Sequence, residues 1–485
     1  MLGVMPEPGG YAIAKFSRTA VYKSYKDWVL ELTEEGAEKF YNSFYFQYGH
    51  ASIADLAHLM VVVENISIPA RMILLDDQLI DAQSRSTRYV DYSKCDLIVP
   101  PELQNDKKLL DLYKQTCCEL TGLYQQILDK VTQLYIKKYQ KTAPKEMDEE
   151  CVMRTLHARA FDVARYVLPG GIPKSMGVIG SARTWERIIT KFLSSPLLEC
   201  QQVGQELQEA ICKKQAFNPG WDKIKDKALA KLVFGKNIAL PTLVKYAQKN
   251  EYPGNLYQKI QTLLPKIKVD PDSKHPVRMH QKIDPEIDLV TTLFYKVSDC
   301  SYKQLLAVVK KMPAKKIKEI LDLVYQYRQE HDGVPREAAL GNLTFDICLD
   351  IGAYRDLHRH RNVIHIIKGP RPVYGFEMLP EIAEVGLKQE YMEMMAKTEK
   401  VFWEIEKFIP QVGQYILPQA TRRRVLMKMS PWELQYLSEL RTKPAGHISY
   451  RTIAYKMYEQ FARKYPDWGK HFRVTDYKQN DFWKR

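Results

Sequence analysis

Two six-residue segments of this chain resemble each other, and that repetition constrains its fold more than any other feature. Ala164-Arg-Tyr-Val-Leu-Pro169 is matched by Gly413-Gln-Tyr-Ile-Leu-Pro418. Twelve residues after each proline stands a serine, Ser181 or Ser430, opening Ser-Ala-Arg-Thr-Trp-Glu and Ser-Pro-Trp-Glu-Leu-Gln. A serine hydroxyl can accept from an orphan amide at a helix start, and apolar residues follow at helical spacing over Trp185 to Leu193 and Trp432 to Leu440. A shared proline, offset and helix read as an internal duplication.

A second matching pair lies upstream. Asn65 to Asp77 holds in the first copy the place of Asp350 to Arg361 in the second. Each follows an alternating apolar stretch, Ala57 to Glu64 and Leu343 to Asp350, and the alternation predicts a strand entering a helix. Long amphipathic patterns over Lys107 to Tyr139 and Ile382 to Phe408 predict helices. The chain therefore reads as α+β: two tandem helix-rich units, residues 1–215 and 284–485, each with a small antiparallel sheet. Residues 216–283, rich in Lys, Pro and Gly, read as a partly helical connector.

With 45% hydrophobic residues the 485-residue chain can fill substantial cores, which excludes a disordered protein. The formal charge of +14 favours anionic partners. The basic residues are spread along the chain, Arg422 to Arg424 aside, and no recognised nucleic-acid motif appears, so nucleic acid is not the expected partner. The first ten residues lack the charged region and apolar core of a secretory signal, and no apolar run is long enough to span a membrane. The eight cysteines show no Cys-x-x-Cys spacing, so reduced thiols in a cytoplasmic protein are expected, with no zinc site or other metal.

Chemistry concentrates at Arg355-Asp-Leu-His-Arg-His-Arg361, where three arginines close an apolar, helix-compatible run. Arginine presents a planar fork of donors, which suits such a cluster to phosphate or another oxyanion.

Together these segments resemble the flavin-dependent thymidylate synthases, the ThyX family, in a tandem form with each copy partly eroded. The family signature joins Arg-His-Arg to Asn-Glu and Ser-x-Arg-Tyr, with Ala-Arg-x-Val-Leu-Pro, Asn-x-Arg and a helix bearing Leu-Arg downstream. In the first copy Ser86, Arg88 and Tyr89 match Ser-x-Arg-Tyr, and Arg165 precedes Val-Leu-Pro. Ser181 and Arg183 fall on Asn-x-Arg, and Gly49 to Ser52 resembles the Gly-His-x-Ser segment near the flavin. The triplet's place is taken by Asp76, Asp77 and Gln78, and Gln83 and Ser84 stand where the family has Asn-Glu. In the second copy Arg359, His360 and Arg361 match the triplet and Arg441 the Leu-Arg, whereas Gly369 to Pro372 and Gln414 have lost the other half.

Each copy keeps what the other lacks, so a site composed from both is expected. The resemblance implies reductive methylation of dUMP to dTMP, with FAD as cofactor, methylenetetrahydrofolate as co-substrate and NADPH as reductant. It also implies a homodimer, a pseudo-tetramer of repeats. Arg359, His360, Arg361, Ser52, Ser181 and Arg183 are then expected at the flavin. Ser86, Arg88, Tyr89, Arg165 and Arg441 are expected at dUMP, with Arg441 and His50 as the catalytic pair. The competing reading is a lapsed homologue that binds nucleotide or flavin as a scaffold or sensor.

Overall fold

The structure, a computed structural model, describes residues 5–16, 34–43, 51–88, 90–93, 95–216, 225, 237–251, 276–281, 284–297, 302–326, 338, 342–367, 369–479 and 481–483. Most of the expected connector, together with His50 and Tyr89, lies outside them, as does the side chain of Ser52.

In the first copy β1 (His58–Ile66), β2 (Ile80–Ser84) and β3 (Lys174–Ser181) form an antiparallel sheet in the order β1-β3-β2. The second copy has β4 (Val277–Gln281), β5 (Leu343–Asp350), β6 (Ile364–Ile367) and β7 (Arg422–Met429), ordered β4-β5-β7-β6. The last three repeat the first sheet strand for strand, and β4 is an added edge. Along β7 buried and half-buried residues alternate, as expected of a strand with one face on the core.

Both expected strand-to-helix transitions are present, and the same chemistry starts them. The Ala70 amide donates to Ser67 Oγ at 3.2 Å to cap α1 (Ile68–Leu74). The long helices α2 (Lys107–Tyr139) and α3 (Glu149–Ala164) follow. Ser181 caps α4 (Ala182–Leu193) through the Thr184 amide at 3.3 Å, and α5 (Leu198–Cys212) comes next. In the second copy the Ala353 amide donates to Asp350 Oδ1 at 2.7 Å to start α6 (Ile351–Leu357). After α7 (Lys388–Phe408), Ser430 caps α8 (Pro431–Arg441) through the Glu433 amide at 3.2 Å, and α9 (Ile448–Lys464) completes the set. Each cap satisfies an amide that the helix cannot.

The repeated hexapeptides meet each other. Pro169 and Pro418 form an antiparallel bridge. Gly171 N donates to Tyr415 O at 2.8 Å, and Ala420 N donates to Tyr166 O at 2.9 Å. The two bonds join equivalent positions in opposite senses, which defines an internal pseudo-twofold axis. Glycine is required at this crossing, because a Cβ on Gly170 would lie 2.6 Å from the Gln414 carbonyl oxygen.

The core is not divided at the repeat boundary. One continuous buried cluster takes Tyr113, Leu120 and Ile127 of α2 together with Tyr391, Phe402 and Ile405 of α7. A second surrounds the four-stranded sheet with Leu434 and Leu437 of α8 and Ala454 and Met457 of α9. A buried polar junction also crosses between repeats: Glu199 accepts from Ser67 N at 2.9 Å, from Ser67 Oγ, and from the Tyr415 hydroxyl. Across the axis the acid changes sides: Asp350 takes the place of Ser67 and accepts from Ser449 Oγ at 2.6 Å, with Tyr166 beside it. Burial pushes the Asp350 carboxyl up to about 6.

Candidate functional site

The turn after β2, the turn after α3, the face of α6 and the last residue of α8 converge on a cavity of 260 Å³. Six arginines line it, Arg85, Arg88 and Arg165 from the first repeat and Arg355, Arg359 and Arg441 from the second, against one acid, Asp356. Ser84, Ser86 and Tyr450 also face it. Both repeats therefore supply the site within a single chain.

Arg88 and Arg165 are fixed from behind. Arg88 Nε donates to Asp162 Oδ1 at 2.8 Å, and Arg165 Nη1 lies 3.3 Å from the same oxygen. Burial of Asp162 opposes its ionisation, but Arg165 and then Arg88 hold its carboxyl below the usual range. One carboxylate thus anchors two guanidiniums and leaves donors over: Arg88 Nη2 and Arg165 Nε are buried without partners among the described residues. Ser86 Oγ accepts from the Arg88 amide at 3.1 Å and shapes that turn. His447 packs behind them, its imidazole pushed down to about 3 by burial and then by Arg165.

Arg355 donates through Nη1 to Gln419 Oε1 at 2.6 Å, and its buried Nε has no partner among the described residues. Burial, followed by the nearby Arg165, pushes its guanidinium down to about 10. A cation destabilised in this way gains most from an anion brought beside it.

Arg441 is held differently. Its Nε donates to His360 Nε2 at 2.9 Å, and His360 Nδ1 lies 2.9 Å from Glu433 Oε1. Arginine can only donate, so Nε2 carries no proton and Nδ1–H donates to Glu433. Burial keeps this imidazole neutral, with Glu433 opposing and Arg441 reinforcing the shift. The Arg441 guanidinium also lies 5.9 Å from the centroid of the Tyr450 ring.

A second cavity of 220 Å³ adjoins the first and shares Ser84, Arg355 and Arg359 with it. Arg71 and Arg361 bring its guanidiniums to four, against the carboxylates of Asp77 and Asp81. Arg71 is buried, its Nε lacks a partner among the described residues, and burial, then Arg355, holds its guanidinium well below the ordinary range. Arg361 reaches across the repeats, donates to Ile80 O at 2.7 Å and forms an ion pair with Asp81 Oδ1 at 2.8 Å.

Of the residues singled out by sequence, Ser86, Arg88, Arg165, Arg359 and Arg441 share the first cavity, and Arg361 lines the second with Arg359. His360 is not at a surface that a cofactor could touch; it lies buried behind Arg441 as that arginine's support. Ser181 and Arg183 line neither cavity: Ser181 caps α4 and donates to Asp55, and Arg183 pairs with the same carboxylate at 3.1 Å. His50, Tyr89 and the Ser52 side chain fall outside the description. Sequence reasoning missed Arg71, Tyr450 and the anchors Asp162 and Glu433. Arg355, singled out in the basic cluster but given no ligand there, lines both cavities one helical turn before Arg359.

The sequence profile described as "Thymidylate synthase complementing protein" matches residues 7–216 and 288–467. The chain belongs to that family. A UPF0159 protein of Thermoplasma acidophilum is 26% identical over 92% of this chain and 90% of its own length. A UPF0159 protein of Chlamydia muridarum is 23% identical over 93% of this chain and 83% of its own. A flavin-dependent thymidylate synthase of a Mycobacterium species (strain JLS) is 25% identical over 37% of this chain and 67% of that protein. Family membership suggests a thymidylate synthase-like function with flavin as cofactor. Among the described residues no helix is long and apolar enough to cross a membrane.

Proposed function

We propose that this chain is a flavin-dependent thymidylate synthase that methylates dUMP to dTMP at one site built from both repeats. The observation that carries this reading is the convergence of six arginines on one cavity, with buried donors on Arg88, Arg165 and Arg355 left unpaired. A nucleotide phosphate is a dianion with enough acceptors to satisfy them. Arg88, Arg165 and the Ser86 hydroxyl hold that phosphate. Arg441 faces the pyrimidine and stabilises negative charge developing on the ring, an electrostatic role that can dominate a barrier. His360 and Glu433 keep Arg441 aimed.

The donors of the adjoining cavity fit the diphosphate of a flavin nucleotide, with Arg71, Arg359 and Arg361 as its holders. When bound and reduced, FAD supplies the hydride. Methylenetetrahydrofolate supplies the carbon, and NADPH is the proposed reductant. We place the protein in the cytoplasm as a homodimer, with His50, Ser52 and Tyr89 completing the site.

Ser84 in the cavity wall, where the family has glutamate, favours a second reading in which nucleotide is bound without turnover. Adding FAD to the purified protein and recording its visible spectrum tests the first step. A bound flavin band and rescue of a thymidine-requiring strain are expected. Absence of the band defeats the enzyme reading, and a band without rescue favours the second.

A further inference from the structure

The pseudo-twofold axis carries the arginine-lined cavity onto another place, and a cavity of 250 Å³ is found there. Its walls come from equivalent positions at which charged or hydroxyl side chains have been replaced by uncharged ones. Met72 stands for Arg355, Ile73 for Asp356, Ile367 for Ser84, and Gln414 for Arg165. Among the described residues that line it Arg423 alone is charged, and that guanidinium lies 5.1 Å from the Tyr354 ring centroid.

Mere loss of function would leave such a position collapsed or filled, because interiors close-pack when nothing keeps them open. This one stays open at nearly the volume of its charged counterpart. A second observation points to what it receives. Gln419 lines the cavity and is almost wholly buried, and its Nε2 has no partner among the described residues. The orientation of that amide is fixed, since Oε1 must be the atom that accepts from Arg355 Nη1. A buried amide donor left unsatisfied is costly, and a carbonyl oxygen satisfies it.

We infer that this cavity is a second binding site, selective for a neutral, largely apolar small molecule bearing a carbonyl acceptor. Walls in which apolar residues outnumber a few placed polar groups, here Ser195, Gln411, Gln414, Gln419 and Arg423, are the usual make-up of a small-molecule site, and four matching places of the charged cavity carry no charge here. The inference does not rest on the thymidylate synthase reading.

The test uses the full chain without nucleotide or flavin, so it stands whether or not the first cavity is catalytic. Nile red, a neutral planar dye with a carbonyl, is titrated and followed by fluorescence. Saturable binding of one dye per chain is expected. Met72→Trp fills the space and should weaken binding by about tenfold. Gln414→Arg returns charge to the rim and should weaken it roughly threefold, which covers the case in which the tryptophan variant fails to fold. The carbonyl-free dye N-phenyl-1-naphthylamine should bind about tenfold less tightly than Nile red. Non-saturable binding, equal affinity in the folded variants, or equal affinity for the two dyes would each overturn the inference.

Discussion

The two cavities related by the internal axis differ in chemistry far more than in scaffold. Both sit beside a strand running into a capped helix, and both are walled by one copy of the hexapeptide. One has six arginines, whereas the other has Met72, Ile73, Ile367 and Gln414 at four of the matching places. After duplication the scaffold positions are held in both copies because each hexapeptide supports the other across the axis. The charged positions are free to diverge, since an arginine contributes to only one of the two cavities. Buried arginines without an anion are a liability, so a cavity that stops binding phosphate gains stability by losing them.

Writing the apolar cavity into the charged one should give the largest effect. Arg355→Met should cost about a hundredfold or more in dUMP affinity, the worth of charge-assisted bonds lost to a dianion. Met72→Arg in the other cavity should create no second dUMP site, because Ile73, Ile367 and Gln414 leave the other matching places neutral. Calorimetric titration of both variants checks the pair.

Arg441 has an indirect support that its counterpart position lacks. Glu433→Leu should lower turnover by about tenfold through misalignment of His360 and Arg441, and Glu433→Gln should recover most of it, since an amide oxygen still accepts from Nδ1. A pH profile separates this role from a merely structural one. His360 is kept neutral by burial, so the Arg441 contact holds at neutral pH. As pH falls below the ordinary histidine range and the ring takes a proton, Nε2 stops accepting and activity should drop. In His360→Gln that acid limb should disappear.

The swapped acids of the tyrosine junctions predict a smaller effect. Asp350 titrates from 3.8 in the unfolded chain to about 6 when buried, so the native state takes up the proton first. Its contribution to stability is complete below pH 3.8 and is lost as pH rises toward about 6. Asp350→Asn should erase that fall in urea midpoints between the two pH values. The shared scaffold predicts the smallest difference of all. Ser181→Ala and Ser430→Ala should each cost about 1 kcal/mol, equally in the two copies, by urea denaturation.

How much was legible in the sequence follows from how local each signal is. The serine caps, the strand-to-helix transitions and the long helix α2 rest on spacing within a few residues, and the structure has them where the spacing puts them. The meeting of Ser86 and Arg88 with Arg359 and Arg441 was suggested only by complementary losses in two distant segments. The burial of His360 could not be read, because nothing near it in sequence announces Glu433 below it. Nor could the packing of α7 onto α2 be read, since an apolar face does not name its partner. The edge strand β4 lies within the stretch read as connector and carried no repeat to mark it.

Calorimetric titration of dUMP into the full chain, repeated with Arg88→Gln and Arg441→Gln, tests the composite site most directly. The predicted result is one dUMP per chain, with binding weakened by about tenfold or more in both variants although their residues come from different repeats. Two dUMP molecules per chain, or full affinity in either folded variant, would contradict it.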